Sequence, residues 1–504
     1  MGIVKAQAYK NTAVSYIGMV IAYVNTVLLF PLLRDGKGIV SPTQYGFYNL
    51  IISISVLYSL VASMGVPSIL AKYFPFYRTD DRRHNGFIHW SAGLALGGFI
   101  VATLLYMVFK PQILAAYSQK SPLFAHYYYY LIPLSFFVLS FNYLEMTGRI
   151  VYQTIYSNFL QSILLRLLTT ALLLMIAAKW INFEDFIVLY IGSNGVISLL
   201  LLISIIVTGK FSYRLTDYRF KAIKKREVIN FGFFTLVSSA IYVLLQKVDT
   251  LMLSSMVGDA VQGVYSWYFN IALVISVPAQ ALSRTTYAIV ADSWKSNNRE
   301  NIIEVYYKTS IIQMVIGCLL FIGIIVNREN LYAIARNKEF TDPKYFSLFI
   351  VIGLGFLVDI TGGLNTYIIS TSHKYRLITA FVIAASIFCI GLNYVLIPKY
   401  QGMGAAISYL LTITGLNFAT WLYIKYRFKM QPFTYKHLLV IGITIISWLA
   451  GRYFWRMPNL FLDIIIRSSI TALLYGLLAY YLKISNDIND KVDATLKKLY
   501  SIIQ

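Results

Sequence analysis

Long apolar runs, separated by short polar intervals, take up almost the whole chain. Fourteen of them lie near residues 11–33, 44–71, 87–109, 125–144, 156–178, 185–207, 230–257, 262–292, 307–327, 344–371, 377–398, 404–424, 438–454 and 463–482. A helix needs about 20 mostly apolar residues to cross a bilayer, so each run reads as a spanning helix. No polar interval is long enough to hold a soluble domain. The pattern predicts an all-α polytopic membrane protein of about 14 transmembrane helices. Its function then lies in what passes, or is recognised, among those helices.

An even number of spans puts both termini on one side, and the basic residues say which. The side that carries the termini holds 26 Lys and Arg, among them Lys72, Arg78, Arg149, Lys210, Arg226, Lys374 and Lys425. The opposite side holds 12, among them Arg34, Lys110, Arg328, Arg452 and Arg456. This bias predicts cytoplasmic termini. The net charge of +22 has the same origin. It is spread over many short loops, which suits anionic lipid headgroups and not nucleic acid. The first apolar run exceeds 20 residues and no small-x-small cleavage site follows it, so it reads as a span and not as a cleaved signal peptide.

Spans one and seven start alike, at Asn11 and Asn230, and Tyr23-Val24 and Tyr242-Val243 share that offset of 219. One loop later, Gly46-Phe47-Tyr48 matches Gly263-Val264-Tyr265 at an offset of 217. A repeat of six helices preserves orientation, so the expected plan is two parallel lobes related by an axis along the membrane normal. The expected divisions are an N-lobe at 1–207, a basic cytoplasmic linker at 208–229, a C-lobe at 230–424, and spans thirteen and fourteen with the tail at 425–504. Gly65, Pro67 and Pro278 mark bends within spans.

Little else in the chain suggests chemistry. Cys318 and Cys389 lie inside apolar runs and read as small core residues. The five histidines have no metal-ligand spacing, and no catalytic set or phosphate loop stands out. The longest outer loop, from Arg328 to Tyr345, is too short for the catalytic loop of a membrane polymerase or ligase. Five cations remain within spans: Arg166, Lys247, Arg284, Lys308 and Arg467. Ionisable groups at that depth are functional candidates by default. Lys308 and Arg467 lie near span ends and are expected to snorkel to the interface. Lys247 and Asp249, two residues apart, point about 200° away from each other on a helix, so a direct pair between them is poor. Asp249 and Asp359 are the carboxylates farthest from the interfaces. Tyr127 to Tyr130 begin span four and are expected to join an interfacial aromatic belt.

The two lobes, the added helix pair and the basic linker resemble the MOP (multidrug/oligosaccharidyl-lipid/polysaccharide) exporter superfamily. Within it the chain looks like the Wzx-type polysaccharide or O-antigen flippases, also called lipopolysaccharide biosynthesis proteins. Local sequence carries the same resemblance: Lys247-Val248-Asp249-Thr250-Leu251-Met252-Leu253 late in span seven, and Gly263-Val264-Tyr265 opening span eight. So do Gly362-Gly363-Leu364-Asn365 and Ser370-Thr371-Ser372-His373-Lys374-Tyr375-Arg376 at the end of span ten.

The resemblance implies a non-enzymatic transporter of the bacterial inner membrane. It would move an undecaprenyl-diphosphate-linked oligosaccharide from the cytoplasmic to the periplasmic leaflet by alternating access, with no cofactor but with possible coupling to H⁺ or Na⁺. Implied partners are the lipid-linked oligosaccharide, membrane lipids, a polysaccharide polymerase and glycosyltransferases. A diphosphate must meet cations to cross a low-dielectric region. Lys247, Arg166 and Arg284 are accordingly the expected substrate ligands, and Asp249 and Asp359 the expected coupling groups. A MATE-type drug exporter and a lipid II flippase are alternatives with the same fold.

Overall fold

A computed structural model describes residues 2–34, 37–79, 84–150, 154–209, 225–487, 489–490 and 492–494. Thirteen of its helices are long and apolar enough to cross a membrane, and they coincide with thirteen of the fourteen expected runs. The run at 438–454 is also a helix, Tyr435–Tyr453. Lys436 and His437 at one end and Arg452 at the other shorten its apolar stretch. Among the described residues the one exception to the helical plan is a two-residue antiparallel ladder, Leu33–Arg34 with Lys37–Gly38, between spans one and two. Most of the expected linker, 210–224, lies outside the described residues.

Large apolar side chains cover the outside of the helices. Val207 is 78% and Leu473 65% exposed, which fits hydrocarbon and not water. Within the spans, helix ends are set by familiar local chemistry. Ser41 and Gln44 form a capping box at the start of Pro42–Ala62, and Asn182 and Asp185 form another at Phe183–Val207.

Several spans that read as continuous in sequence are broken. Span two consists of Pro42–Ala62 and Val66–Tyr77, with the bend at Gly65. Gly65 has φ 75°, and a Cβ there would fall 2.1 Å from the Gly232 carbonyl oxygen, so only glycine fits. Span eight passes from Asp259–Leu273 through a 3₁₀ turn, Val274–Ser276, into Val277–Lys295, with Pro278 in the first turn of the last helix. Span ten breaks between Phe346–Thr361 and Asn365–Thr371. Spans one and five each contain a π turn, Asn25–Leu29 and Leu160–Leu164.

The chain forms two compact units. The first holds Met1–Trp267 with Ile390–Ala405. Its core includes Ile69, Phe74, Phe87, Leu160, Ile197 and Val228. The second holds Tyr268–Cys389 with Ala406–Gln504, around Val290, Ile302, Tyr306, Leu364 and Ile368.

Inside the first unit, one contact bears the mark of the sequence repeat. A Cβ on Gly46 would fall 1.9 Å from the Asp259 carbonyl oxygen, and a Cβ on Gly263 would fall 2.0 Å from that of Pro42. The offset of 217 carries Pro42 onto Asp259 and Gly46 onto Gly263. The two contacts are thus exchanged by the repeat, as a local two-fold axis requires. The starts of spans two and eight cross at this point with backbone against backbone.

Candidate functional site

Arg166 is the second residue of Leu165–Ala177, directly after the π turn of span five. A π turn widens the helix and shifts the register of side chains, and such turns recur at functional positions. The facing π turn of span one begins at Asn25, which is buried. Its Nδ2 donates to the Arg166 carbonyl oxygen at 3.1 Å, and its Oδ1 accepts from Thr170 Oγ1 at 2.8 Å. The amide ties together the two places where helical hydrogen bonding is irregular.

The Arg166 side chain is half-buried, and its Nη1 is buried with no hydrogen-bond acceptor among the described residues. Tyr48 lies near it. Tyr48 in turn sits in a ring cluster, 5.0 Å from Tyr190, 5.2 Å from Phe30 and 5.7 Å from Phe186. Leaving a buried donor unmet costs about 1–3 kcal/mol, and more for a charged group. Among the described residues no carboxylate pairs with this cation.

Lys247 lies on the helix Lys225–Met256, also in the first unit. It is half-buried, and no hydrogen bond or ion pair holds its ammonium among the described residues. Asp249 is 7% exposed, and its carboxylate accepts from Tyr265 Oη at 3.0 Å and Asn393 Nδ2 at 2.7 Å. The two neighbours have the separate surroundings that their helical angle predicts.

Asp359 belongs to the second unit and is exposed. Asn417 Nδ2 donates to its Oδ1 at 3.1 Å. The amide chain continues inward: Asn365 Nδ2 donates to the Asn417 carbonyl at 3.2 Å, and Tyr306 Oη donates to Asn365 Oδ1. The break at Gly362–Leu364 makes this possible, because a Cβ on Gly362 would fall 2.2 Å from Asn417 Oδ1. Arg284 sits on Val277–Lys295, and its side chain lies outside the described residues.

Two expectations need correction, those for Arg467 and for the four tyrosines. Arg467 does not snorkel. It is buried and bound at 3.0 Å through Nε and Nη2 to the two oxygens of Asp463, with Nη1 donating to the Gly451 carbonyl at 2.7 Å. Its carboxylate partner, four residues earlier on the same helix face, holds it inside. Lys308 is partly exposed and is held at 2.8 Å by Glu304 and at 3.5 Å by Asp487 near the chain's end. Of the four consecutive tyrosines, Tyr127 and Tyr128 are buried. Tyr128 stacks on Tyr106 with centroids 4.2 Å apart, and each hydroxyl donates to the other residue's carbonyl. Tyr129 alone of the four is largely exposed, with Lys110 Nζ 2.8 Å from its hydroxyl.

Two buried carboxylates were missed in the sequence, Asp463 and Asp259. Asp259, in the first turn of span eight, accepts from Ser121 Oγ at 2.5 Å and from Ser254 Oγ. It fastens the start of span four and the end of span seven to the Gly46–Gly263 crossing. An acidic residue just after Gly258 reads as ordinary helix-start chemistry, which is why nothing marked it out.

The polysaccharide biosynthesis protein family matches residues 8–287 of the chain. No curated protein matches it in sequence. Among solved structures it resembles the lipid II flippase MurJ in an inward closed conformation, with a TM-score of 0.74 at 14% identity over 94% of this chain and 98% of that one. It also resembles an inward-facing multidrug resistance MATE family transporter of the MOP superfamily, with a TM-score of 0.64 at 13% identity over 84% and 98%. A Vibrio cholerae MATE transporter, VcmN, gives 0.52 at 12% identity over 85% and 98%. These likenesses establish a shared fold.

Proposed function

The chain belongs to the polysaccharide biosynthesis protein family, and from that premise we propose that it is a flippase for a polyprenyl-diphosphate-linked oligosaccharide. It carries the undecaprenyl-linked sugar from the cytoplasmic to the periplasmic leaflet of the bacterial inner membrane, by alternating access of the lobes at 1–207 and 230–424. Both termini face the cytoplasm. The product then serves a polysaccharide polymerase, after glycosyltransferases have built it.

The observation that carries this reading is Arg166: a half-buried guanidinium with a buried Nη1 lacking an acceptor among the described residues. Moving an unpaired phosphate through a medium of dielectric near 4 costs on the order of tens of kcal/mol. A carrier avoids that cost by offering cations whose own charge is not already met. Arg166 fits this requirement, and so does Lys247. Arg467 does not, because Asp463 neutralises it. Arg284 is assigned to the same set by its sequence position. The neighbouring ring cluster of Tyr48 and Tyr190 offers faces of a kind that suit sugar rings.

The likeness to a lipid II flippase favours a second substrate with the same polyprenyl diphosphate but a different headgroup. A drug exporter for cations fits less well, since unmet cations repel its cargo. The test is the leaflet distribution of lipid-linked oligosaccharide in cells that carry or lack the protein. Inner-leaflet accumulation without it, cleared by the wild type but not by Lys247→Ala or Arg166→Gln at equal membrane level, is expected. Normal surface glycan with both variants would overturn the cation assignment. Accumulation of lipid II instead would select the second substrate.

A further inference from the structure

The second unit contains a cavity of about 510 Å³ that the transport reading does not use. Its polar end is built from Arg328, Arg452 and Arg456, at the end of span nine, the end of span thirteen and the loop that follows. Its apolar end is built from Phe346, Ile350 and Leu354 on span ten. Arg467 and Asp463 form its floor and neutralise each other. Glu329 is shared by Arg328 at 2.5 Å and Arg456 at 3.9 Å. Arg452 has no carboxylate partner among the described residues and instead lies 5.6 Å from the Trp448 ring centroid. Four arginines against two carboxylates leave a local excess of two positive charges.

Depth narrows the ligand. Tyr453, Trp455 and Phe461 around the loop are highly exposed, as aromatic residues are at headgroup level. Ile350 and Leu354 are exposed on the flank of span ten, one and two turns deeper toward hydrocarbon. A ligand that fills both ends has a phosphate at the interface and an acyl chain below it. The size lies within the 300–1,000 Å³ usual for a small-molecule site.

We propose that this cavity binds one anionic phospholipid of the periplasmic leaflet, its phosphate between Arg328, Arg452 and Arg456 and one acyl chain along Phe346, Ile350 and Leu354. The leaflet follows from the cytoplasmic placement of the termini. The bound lipid staples spans nine, ten and thirteen at their outer ends, where only short loops join them.

The test is native mass spectrometry of the purified full chain, titrated with phosphatidylglycerol or phosphatidylethanolamine. One phosphatidylglycerol per chain is expected to be retained in preference to phosphatidylethanolamine. Arg452→Gln with Arg456→Gln, which leaves the Arg467–Asp463 pair intact, is expected to weaken retention about 30-fold. Ile350→Trp, which fills the apolar end and keeps every charge, is expected to weaken it as well. Equal retention of both lipids, or full retention by both variants, would refute the site. Displacement by millimolar inorganic phosphate would show a bare anion site, and displacement by an equimolar polyprenyl diphosphate would show a substrate exit site. Either result overturns the phospholipid assignment.

Discussion

The reciprocal crossing of Gly46 and Gly263 makes a quantitative prediction about paired substitutions. Alanine at either position puts a Cβ 1.9–2.0 Å from a carbonyl oxygen, against a floor near 3.0 Å for real contacts. The obstructing atoms are backbone, so no side chain can turn aside. Spans two and eight must separate by about 1 Å, at the usual overpacking cost of about 1–3 kcal/mol. Because the repeat exchanges the two contacts, one separation relieves both clashes. Gly46→Ala with Gly263→Ala is therefore expected to cost little more than the worse single variant, a coupling of about 1–3 kcal/mol in the double-mutant cycle. Thermal unfolding of the purified protein in one detergent measures all four corners. Additive losses in melting temperature would refute the shared separation, and neutral single variants would refute the contact itself.

Three further outcomes follow from individual contacts. Arg467→Met leaves the Asp463 carboxylate buried and is expected to destabilise by about 3–5 kcal/mol, while Arg467→Met with Asp463→Leu restores most of that, as thermal unfolding will show. Tyr128→Phe deletes the bond to the Tyr106 carbonyl at 2.6 Å and is expected to cost about 0.5–1.5 kcal/mol in the same assay, with little change in surface glycan. Asp359→Asn is expected to keep the fold and abolish the dependence of transport on an ion gradient, which proteoliposomes with an imposed gradient would reveal. Unchanged gradient dependence would remove Asp359 from the coupling mechanism.

What could be read in the sequence divides along physical lines. Spanning helices announce themselves because the bilayer demands long apolar runs, so thirteen reappear as such and the last exception, Tyr435–Tyr453, is still a helix. Bends at Gly65 and Pro278 were legible because glycine admits a left-handed backbone and proline fixes φ and removes a donor. The π turns beside Asn25 and Arg166 were not, since no residue type encodes them. Arg166 and Lys247 stood out as charges within apolar runs. Arg467 was misread for want of its partner: distance from a span end cannot say whether Asp463 turns inward. Asp259 escaped because a carboxylate at a helix start is ordinary, and only the fold brings Ser121 to it from a distant part of the chain.

The two carboxylates singled out for coupling look equivalent in the sequence, and their surroundings separate them. Asp249 is sealed, and any cation reaching it must displace the Tyr265 hydroxyl or the Asn393 amide, breaking bonds that knit spans seven, eight and eleven. Such a group is suited to fixing geometry. Asp359 is exposed, beside a helix break, and its Asn417 partner offers an amide that can rotate between donating to the carboxylate and presenting its own oxygen. In our proposal a proton or Na⁺ binds Asp359 in each cycle, and each arrival would change the hydrogen bonding of Asn417 and, through Asn365, of the broken span ten. Coupling needs that combination of access and mechanical connection. The same reasoning suits Asp249 to a structural part, so Asp249→Asn, which keeps the size and whose new donor is met by a flip of the Asn393 amide, is expected to retain gradient-dependent transport where Asp359→Asn loses it.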